Sequence, residues 1–525
     1  MCKKTLSLLI VCVLLFGCLT GCSSSASLDR QDAPAGAAST AAVRAGDGEG
    51  AVREVAAATQ TAQSPKYVFL FIGDGMSYPQ FQTASDYLGA VKDPDPEILK
   101  GGEALSFMNF PVAGSATTFD STSFAPDSAS TATSLSTGHK THSGVINMDE
   151  TKTIAYETIT EKLKEQKGYK IGVISSVNLN HATPAAFYAH QASRGSYYAI
   201  GQELIDSGFD YFAGGGLLQP TGKNGDQTDI YTLARQKGYK VINTQAAAEK
   251  LTAADGKAII IGEKLADSDS LSYDNDRAAS EWALKDYVRK GIEVLDNNTG
   301  FFMMVEGGKI DWACHANDAG STIADTLALG EAVEEALAFY EEHPAETLII
   351  VTGDHETGGL TIGYAGTDYD TFLQNLENQT ISYAKYDSDY VAAYKKNGTP
   401  FTEVLKDVKA LFGLMTEDDP DAAKNPKLTL TGYELSRLKA AYDKTMSGSA
   451  AELSQAEYVL YGSYEPLSVT ITHILNNKSG INFSSYAHTG LPVAVFAQGA
   501  GQELFKGFYD NTEIYNKMAS LLNVK

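Results

Sequence analysis

Tyr67-Val-Phe-Leu-Phe-Ile72 is an unbroken apolar run of aromatic and β-branched residues, followed at once by Gly73-Asp74-Gly75. A run this short and continuous reads as a strand buried on both faces, which needs a sheet covered on both sides. Comparable runs follow at Lys170–Val177, Asp210–Ala213, Lys257–Ile261, Phe301–Val305, Thr347–Val351 and Pro492–Ala497. Helical patterns lie between several of them, at Tyr156–Gln166, Ala279–Leu295 and Asp325–Glu342, with another at the C-terminus, Thr512–Leu522. Strands alternating with helices predict an α/β fold: a large, mostly parallel central sheet flanked by helices on both faces. There is no internal repeat and no clean linker after Gln63, so residues 65–525 read as one domain. Residues 364–480 break the rhythm, being Tyr-rich and polar with helical pieces at Pro400–Leu411 and Gly432–Thr445. They are expected to form an insertion that caps the sheet.

The N-terminus reads as a targeting segment. Lys3 and Lys4 precede an apolar run from Leu6 to Phe16, too short for a comfortable membrane span. Leu19-Thr20-Gly21-Cys22 resembles the lipobox of bacterial lipoproteins, which implies a signal peptide over 1–21 and lipidation of Cys22. A plain cleaved signal is the alternative. On the lipobox reading the protein is exported and lipid-anchored to the cell membrane on its extracytoplasmic side. Residues 22–64 carry few large apolar side chains and read as a flexible tether. Four of the five cysteines lie in the first 22 residues, leaving Cys314 alone in the body, so no disulfide staples the exported fold. The net charge of −24 argues against nucleic acid as a partner. An anionic substrate must then be drawn in by a local positive centre.

Chemistry gathers where the strand runs end. Asp74 follows the first run, Glu306 follows Phe301–Val305, and Asp354-His355 leaves Thr347–Val351 between glycines. The carboxyl ends of strands are where open α/β sheets place their ligands. Asp311 and His315 are four apart, so on a helix they share one face and can grip one cation. His488 precedes the last run, and Asn180–Arg194 supplies His181, Thr183 and Arg194. Oxygen and imidazole donors without thiolates suit zinc and magnesium. Arg194 is suited to fork onto a tetrahedral oxyanion. Pro126-Asp127 ends a loop and small residues then run to Gly138, which predicts a helix with Ser128 in its first turn. Free amides and the helix dipole there favour an anion, either a serine alkoxide or a phosphate attached to it.

Six motifs occur in the order found in alkaline phosphatases, which the chain resembles from Lys66 to its end. They are Ile-Gly-Asp-Gly-Met, Asp-Ser-Ala-Ser-Thr-Ala-Thr, Ala-Thr-Pro-Ala-Ala with Ser-Arg downstream, Val-Glu-Gly…Ile-Asp…His, Thr-Gly-Asp-His and His-Thr-Gly. The resemblance implies hydrolysis of small phosphate monoesters through a phosphoserine at Ser128, with two zinc ions and one magnesium. It implies that Asp311, His315 and His488 hold the zinc serving the attacking water, and that Asp74, Asp354 and His355 hold the zinc facing Ser128. Asp74, Thr183 and Glu306 would hold magnesium, and Arg194 would clamp phosphate. The best-known bacterial enzymes have Asp and Lys where this chain has His181 and Trp312, both behind the ligands. That difference leaves the third metal open and removes a positive charge near phosphate. A homodimer stays open as the assembly. The rival readings are a sulfatase or phosphodiesterase of the same superfamily and a non-catalytic metal- or phosphate-binding lipoprotein. The sulfatase pattern Cys/Ser-x-Pro-x-Arg is not matched around Ser128.

Overall fold

The computed structural model describes residues 64–95, 98–448 and 453–525. The expected signal segment, and all of the expected tether but Ser64, lie outside the described residues. Among the described residues no helix is long and apolar enough to cross a membrane.

The strands are β1 (Tyr67–Gly73), β2 (Val112–Thr117), β3 (Lys170–Ser175), β4 (Tyr211–Gly214), β5 (Lys240–Ile242), β6 (Ala258–Ile261) and β7 (Phe301–Gly307). After them come β8 (Thr347–Gly353), β9 (Glu356–Thr357), β10 (Thr361–Ile362), β11 (Ile481–Asn482), β12 (His488–Thr489), β13 (Val493–Gly499) and β14 (Gly507–Asp510). Ten form one sheet in the order β14-β2-β13-β8-β1-β7-β3-β4-β6-β5, in which only β13 runs against its neighbours. The four shortest pair as β12 with β9 and β10 with β11.

Every residue of β1, β7 and β8 is buried. Alternation along β1 feeds two cores: Tyr67, Phe69 and Phe71 pack on one side, Val68, Leu70 and Ile72 on the other. This explains why those strands read as continuous apolar runs rather than alternating ones. Register brings their carboxyl ends level, since Gly73 of β1 lies opposite Gly307 of β7 and Gly353 of β8.

The predicted helices stand, Thr512–Leu522 with both its ends and Gly432–Thr445 with its start, while others begin later or earlier than expected. Ala279–Leu295 begins at Leu284, and Asp325–Glu342 is the end of a longer helix, Ala319–Glu342, that Asp318 caps through Ser321 N–H. Tyr156–Gln166 is shorter, because the Thr158/Glu161 capping box starts the helix at Ile159 and the chain then widens into a π-turn over Leu163–Lys167. Residues 364–480 hold several helices around a central one, Pro466–Lys478. Their apolar side chains, among them Tyr386, Leu438 and Leu475, join the core on one face of the sheet. This segment is tied down beside the Lys309–His315 helix: Asn476 Nδ2 donates to Asn317 O at 2.8 Å, and Tyr383 N–H to Asp318 Oδ2 at 2.9 Å.

Candidate active site

Asp74, Glu306, Asp354 and His355 sit at the carboxyl ends of β1, β7 and β8, and the other groups are brought to them by the segments beyond the strands. Gly75 (φ 71°) turns the chain after Asp74, and a Cβ there would come 2.9 Å from Asp311 Cα, so only glycine allows this approach. Glu306 is the penultimate residue of β7, opposite Ser175 of β3, whose hydroxyl donates to its Oε2. Asp311 and His315 lie on the short helix Lys309–His315, with His315 Nε2 3.4 Å from Asp311 Oδ2. Asp354 and His355 follow β8 directly, and His488 begins β12, paired back onto Thr357.

Ser128 is the first residue of the helix Ser128–Thr137. Asp127 caps it, its Oδ1 accepting from Ser130 N–H at 3.1 Å, and Gly138 closes it in the left-handed conformation (φ 75°). The helix is buried throughout although nearly all its side chains are Ser, Thr or Ala. Its threonine and serine hydroxyls turn back onto carbonyls, as Thr133 Oγ1 does to Ala129 O at 2.7 Å. The Ser128 hydroxyl is left to the site: its Oγ lies 3.2 Å from Asp74 Oδ1 and 3.1 Å from His355 Nε2.

The donors fall into three groups whose atoms lie within 4.8 Å of one another: Asp311, His355 and His488; Asp74, Asp354 and His355; Asp74, His181 and Glu306. His315 adjoins the first, its Nε2 3.0 Å from His488 Nε2, while its Nδ1 contacts Tyr486 O at 2.7 Å. His488 Nδ1 contacts Pro126 O at 2.5 Å. Backbone carbonyls thus fix the far nitrogen of both rings and turn the near nitrogens inward. Thr183 Oγ1 reaches Asp74 Oδ2 at 3.2 Å, beside the third group. His181 lies against that group, but its Nε2 accepts from Arg194 Nη2, so the ring proton sits on Nδ1 and His181 stands behind the ligands.

The protein balances its charges here only in part: although burial works against both, His315 and His488 hold Asp311 well below the usual carboxylate range and Asp311 holds His315 up at about 9. Burial, then the charges of Asp354, Asp311 and Glu306, push the Asp74 carboxyl well above its usual range. Burial pushes Glu306 up to about 7 and Asp354 up to about 6, each with a neighbouring aspartate adding to the rise. Burial holds His355 well below the ordinary imidazole range and His181 down at about 3. Glu306 Oε1 and His181 Nδ1 are buried without a partner. Carboxylates this crowded and the unpartnered Glu306 Oε1 suit bound cations. The donor chemistry therefore fits the metals implied by the sequence.

Arg194 lies at the edge of these groups. Its Nη1 donates to Asp127 Oδ2 at 2.9 Å and its Nη2 to His181 Nε2 at 3.0 Å. The Trp312 ring meets His181 edge-on, with centroids 5.8 Å apart. The sequence-predicted residues therefore converge, and four of the nine histidines are among them. Sequence reasoning missed the supports. Asp127 both caps the Ser128 helix and holds Arg194. Thr357 Oγ1 donates to Asp311 Oδ1 at 2.5 Å, and Thr131 Oγ1 to Asp354 Oδ2 at 3.0 Å. Thr131 does offer a signal, standing one turn beyond Ser128 on the same helix face.

Comparison with known proteins bears on the same residues. The family model described as alkaline phosphatase matches residues 65–524. Alkaline phosphatase 3 of Bacillus subtilis is 30% identical over 473 residues, covering 88% of this chain and 90% of its own length. Alkaline phosphatase 4 of the same organism is 28% identical over 492 residues, covering 92% and 94%. Among solved structures, a cold-active alkaline phosphatase from a psychrophilic Shewanella superposes with a TM-score of 0.70 at 28% identity, over 87% of this chain and 99% of that one. The match spans every strand of the sheet and every donor described above, and the solved relative shares the large, mostly parallel sheet flanked by helices. This chain belongs to the alkaline phosphatase family, whose members are metal-dependent phosphatases.

Proposed function

We propose that the chain hydrolyses small phosphate monoesters through a covalent phosphoserine at Ser128. The observation that carries this reading is the Ser128 hydroxyl, capped at a helix start and 3.2 Å from Asp74 Oδ1 and 3.1 Å from His355 Nε2. Asp311, His315 and His488 would hold one zinc, and Asp74, Asp354 and His355 a second. Asp74, Thr183 and Glu306, with His181 beside them, would hold magnesium. Bound there, the ions would supply positive charge for the attacking and leaving oxygens.

The protein's own groups do the rest. Arg194 binds two phosphate oxygens through its guanidinium, which Asp127 and His181 hold in place. The exposed amides of the helix start face the same anion. Ser128 Oγ gives its proton to solvent and bonds to phosphorus as the ester P–O bond breaks, and the leaving alkoxide takes a proton from solvent. Water then loses a proton to solvent and attacks phosphorus, the Oγ–P bond breaks, Ser128 Oγ regains a proton, and inorganic phosphate departs. Residues 364–480 act as a cap over the site. At the N-terminus, 1–21 act as a signal, and lipid on Cys22 tethers the enzyme outside the cell membrane through 22–64.

The test is hydrolysis of a chromogenic phosphate monoester against the matching diester and sulfate. The monoester should be strongly preferred, chelation should abolish activity, and zinc plus magnesium should restore it. Ser128→Ala should lower turnover severely and eliminate phosphate transfer to Tris. Transfer retained in Ser128→Ala would establish direct attack by water instead, and full activity after exhaustive chelation would overturn the metal assignment.

A further inference from the structure

Lys309 is fully buried on the helix that carries Asp311 and His315, yet it belongs to none of the donor groups. Its Nζ donates to Asp267 Oδ1 at 2.8 Å and to Ser270 Oγ at 2.9 Å. It also lies 3.6 Å from the centre of the Tyr273 ring and 4.8 Å from that of Trp312. A buried ammonium survives only when its charge is met, and here one carboxylate, one hydroxyl and two aromatic rings meet it.

The loop that supplies Asp267 follows an unusual path. Ser268 and Asp269 both take positive φ, 51° and 55°, a conformation that side-chain-bearing residues rarely hold without outside support. That support comes from the sheet's carboxyl edge. Gly216 N–H donates to Asp269 O at 2.7 Å, Asn178 Nδ2 to Ser268 O at 3.3 Å, and Leu271 N–H to Ser176 O at 2.9 Å. The loop is thereby pinned where its carboxylate meets Lys309.

Beyond Lys309, the contact with Trp312 leads towards Arg194, the proposed phosphate clamp. Trp312 stands one turn along the helix, so the two side chains share a face. The Trp312 ring abuts His181, and His181 Nε2 accepts from Arg194 Nη2 at 3.0 Å. Asp267, Lys309, Trp312, His181 and Arg194 thus form one continuous column.

We infer that Lys309 is a positioning residue for phosphate: it fixes the Trp312 indole against His181 and, through His181, sets the Arg194 guanidinium. The inference rests on the reading of Arg194 as the phosphate clamp. It assigns Lys309 no contact with substrate and no proton transfer.

The experiment uses zinc- and magnesium-loaded protein carrying Trp282→Phe, which leaves Trp312 as the single tryptophan of the two in the chain. Trp312 anisotropy and acrylamide quenching, calorimetric binding of inorganic phosphate, and kcat and KM on a chromogenic monoester are compared. The variants are Lys309→Met, Lys309→Arg and Asp267→Asn. Lys309→Met should loosen Trp312, weaken phosphate about 5–20-fold and raise KM alongside, with kcat changed less than about threefold. Asp267→Asn should move all readouts the same way by less, and Lys309→Arg should restore part of the loss. A Trp312 signal unmoved by both Lys309→Met and Asp267→Asn overturns the inference, as does a moved signal with phosphate binding unchanged within about twofold. Should Lys309→Met not fold, Asp267→Asn decides, because its side chain is 38% exposed and lies off the helix. A parent protein that neither binds phosphate nor hydrolyses the monoester overturns the reading of the site itself, a failure separate from that of the column.

Discussion

Replacing Trp312 by lysine would put an ammonium where the structure has an indole, and the surroundings let the consequence be worked out. The indole centre lies 4.8 Å from Lys309 Nζ and 5.8 Å from the centre of the His181 ring. A second ammonium in that volume would sit ~5 Å from the first, and with an effective dielectric of ~20 the repulsion is about 3 kcal/mol. Asp267, 2.8 Å from Lys309 Nζ, offsets part of this. The new side chain is therefore driven away from Lys309, towards His181 and Arg194. At ~7 Å from a phosphate dianion in a site open to water, with an effective dielectric of ~40–80, the attraction is about 1–2 kcal/mol. The charge is isolated by comparison with Trp312→Met, because both changes remove the indole that braces His181, and Trp312→Lys should bind inhibitory inorganic phosphate about 5–30-fold more tightly than Trp312→Met. Turnover should fall wherever product release limits it. The assay is the phosphate inhibition constant at low and at high ionic strength, with melting temperature and metal content as controls. The gain should shrink with salt, since the new charge acts through solvent. Equal phosphate constants for folded, metal-loaded Trp312→Lys and Trp312→Met at low salt would refute the reasoning, because a charge at residue 312 would then not feel the phosphate.

His181→Asp adds a carboxylate beside Asp74 and Glu306, and magnesium titrations should show affinity raised on the order of tenfold; an unchanged titration would remove position 181 from the third group. His190 lies between Glu161 and Glu203, at 3.4 and 3.7 Å, and although burial works against its charge these partners hold its pKa up at about 10. The raised value means its stabilisation is complete below its ordinary pKa near 6.5 and is lost as pH rises through about 10. His190→Gln should therefore destabilise by about 1–2 kcal/mol at pH 6 and by almost nothing above pH ~10.5, read from urea melts at both pH values. Cys22→Ser should release soluble, active enzyme from membranes; wild-type protein already soluble after export would favour a plain cleaved signal instead.

The strands that were legible are those buried on both faces. All seven apolar runs became strands of the sheet, because a strand between two cores has no polar face to blur its signal. The strands missed lack such a run. In β2, Val112-Ala-Gly-Ser-Ala-Thr117, position 114 admits only glycine, since a Cβ there would come 2.1 Å from Phe505 O. A short edge strand such as β14 offers only four residues to read. The helix Tyr78–Lys92 was missed for a related reason: its buried face is mostly Gln80, Thr83, Ala84, Ser85 and Gly89, small or polar residues that leave no apolar periodicity. The Ser128 helix is just as polar and was found only because Pro126-Asp127 and Gly138 punctuate it.

The site was legible for a different reason. A carboxylate or imidazole just past a buried strand is a local signal, visible without knowing which strand lies beside which. What the sequence does not display is the opposition of those signals. Glu306 meets the site because β7 pairs with β1 so that Ile72 lies opposite Glu306, while β3 brings Ser175 to the same level on the other side. A slip of one residue between β7 and β1 would turn Glu306 to the opposite face of the sheet and separate it from Asp74. That register is set by the apolar side chains of the strands, which must alternate into two different cores. The supports that went unseen, Asp127 on Arg194, Thr357 on Asp311 and the Lys309 column, depend on the same register at one remove. They are polar residues far apart in sequence that become neighbours only after the cores have fixed the sheet. The apolar runs therefore do more than bury surface: by holding the register, they determine which charges meet at the sheet's carboxyl edge.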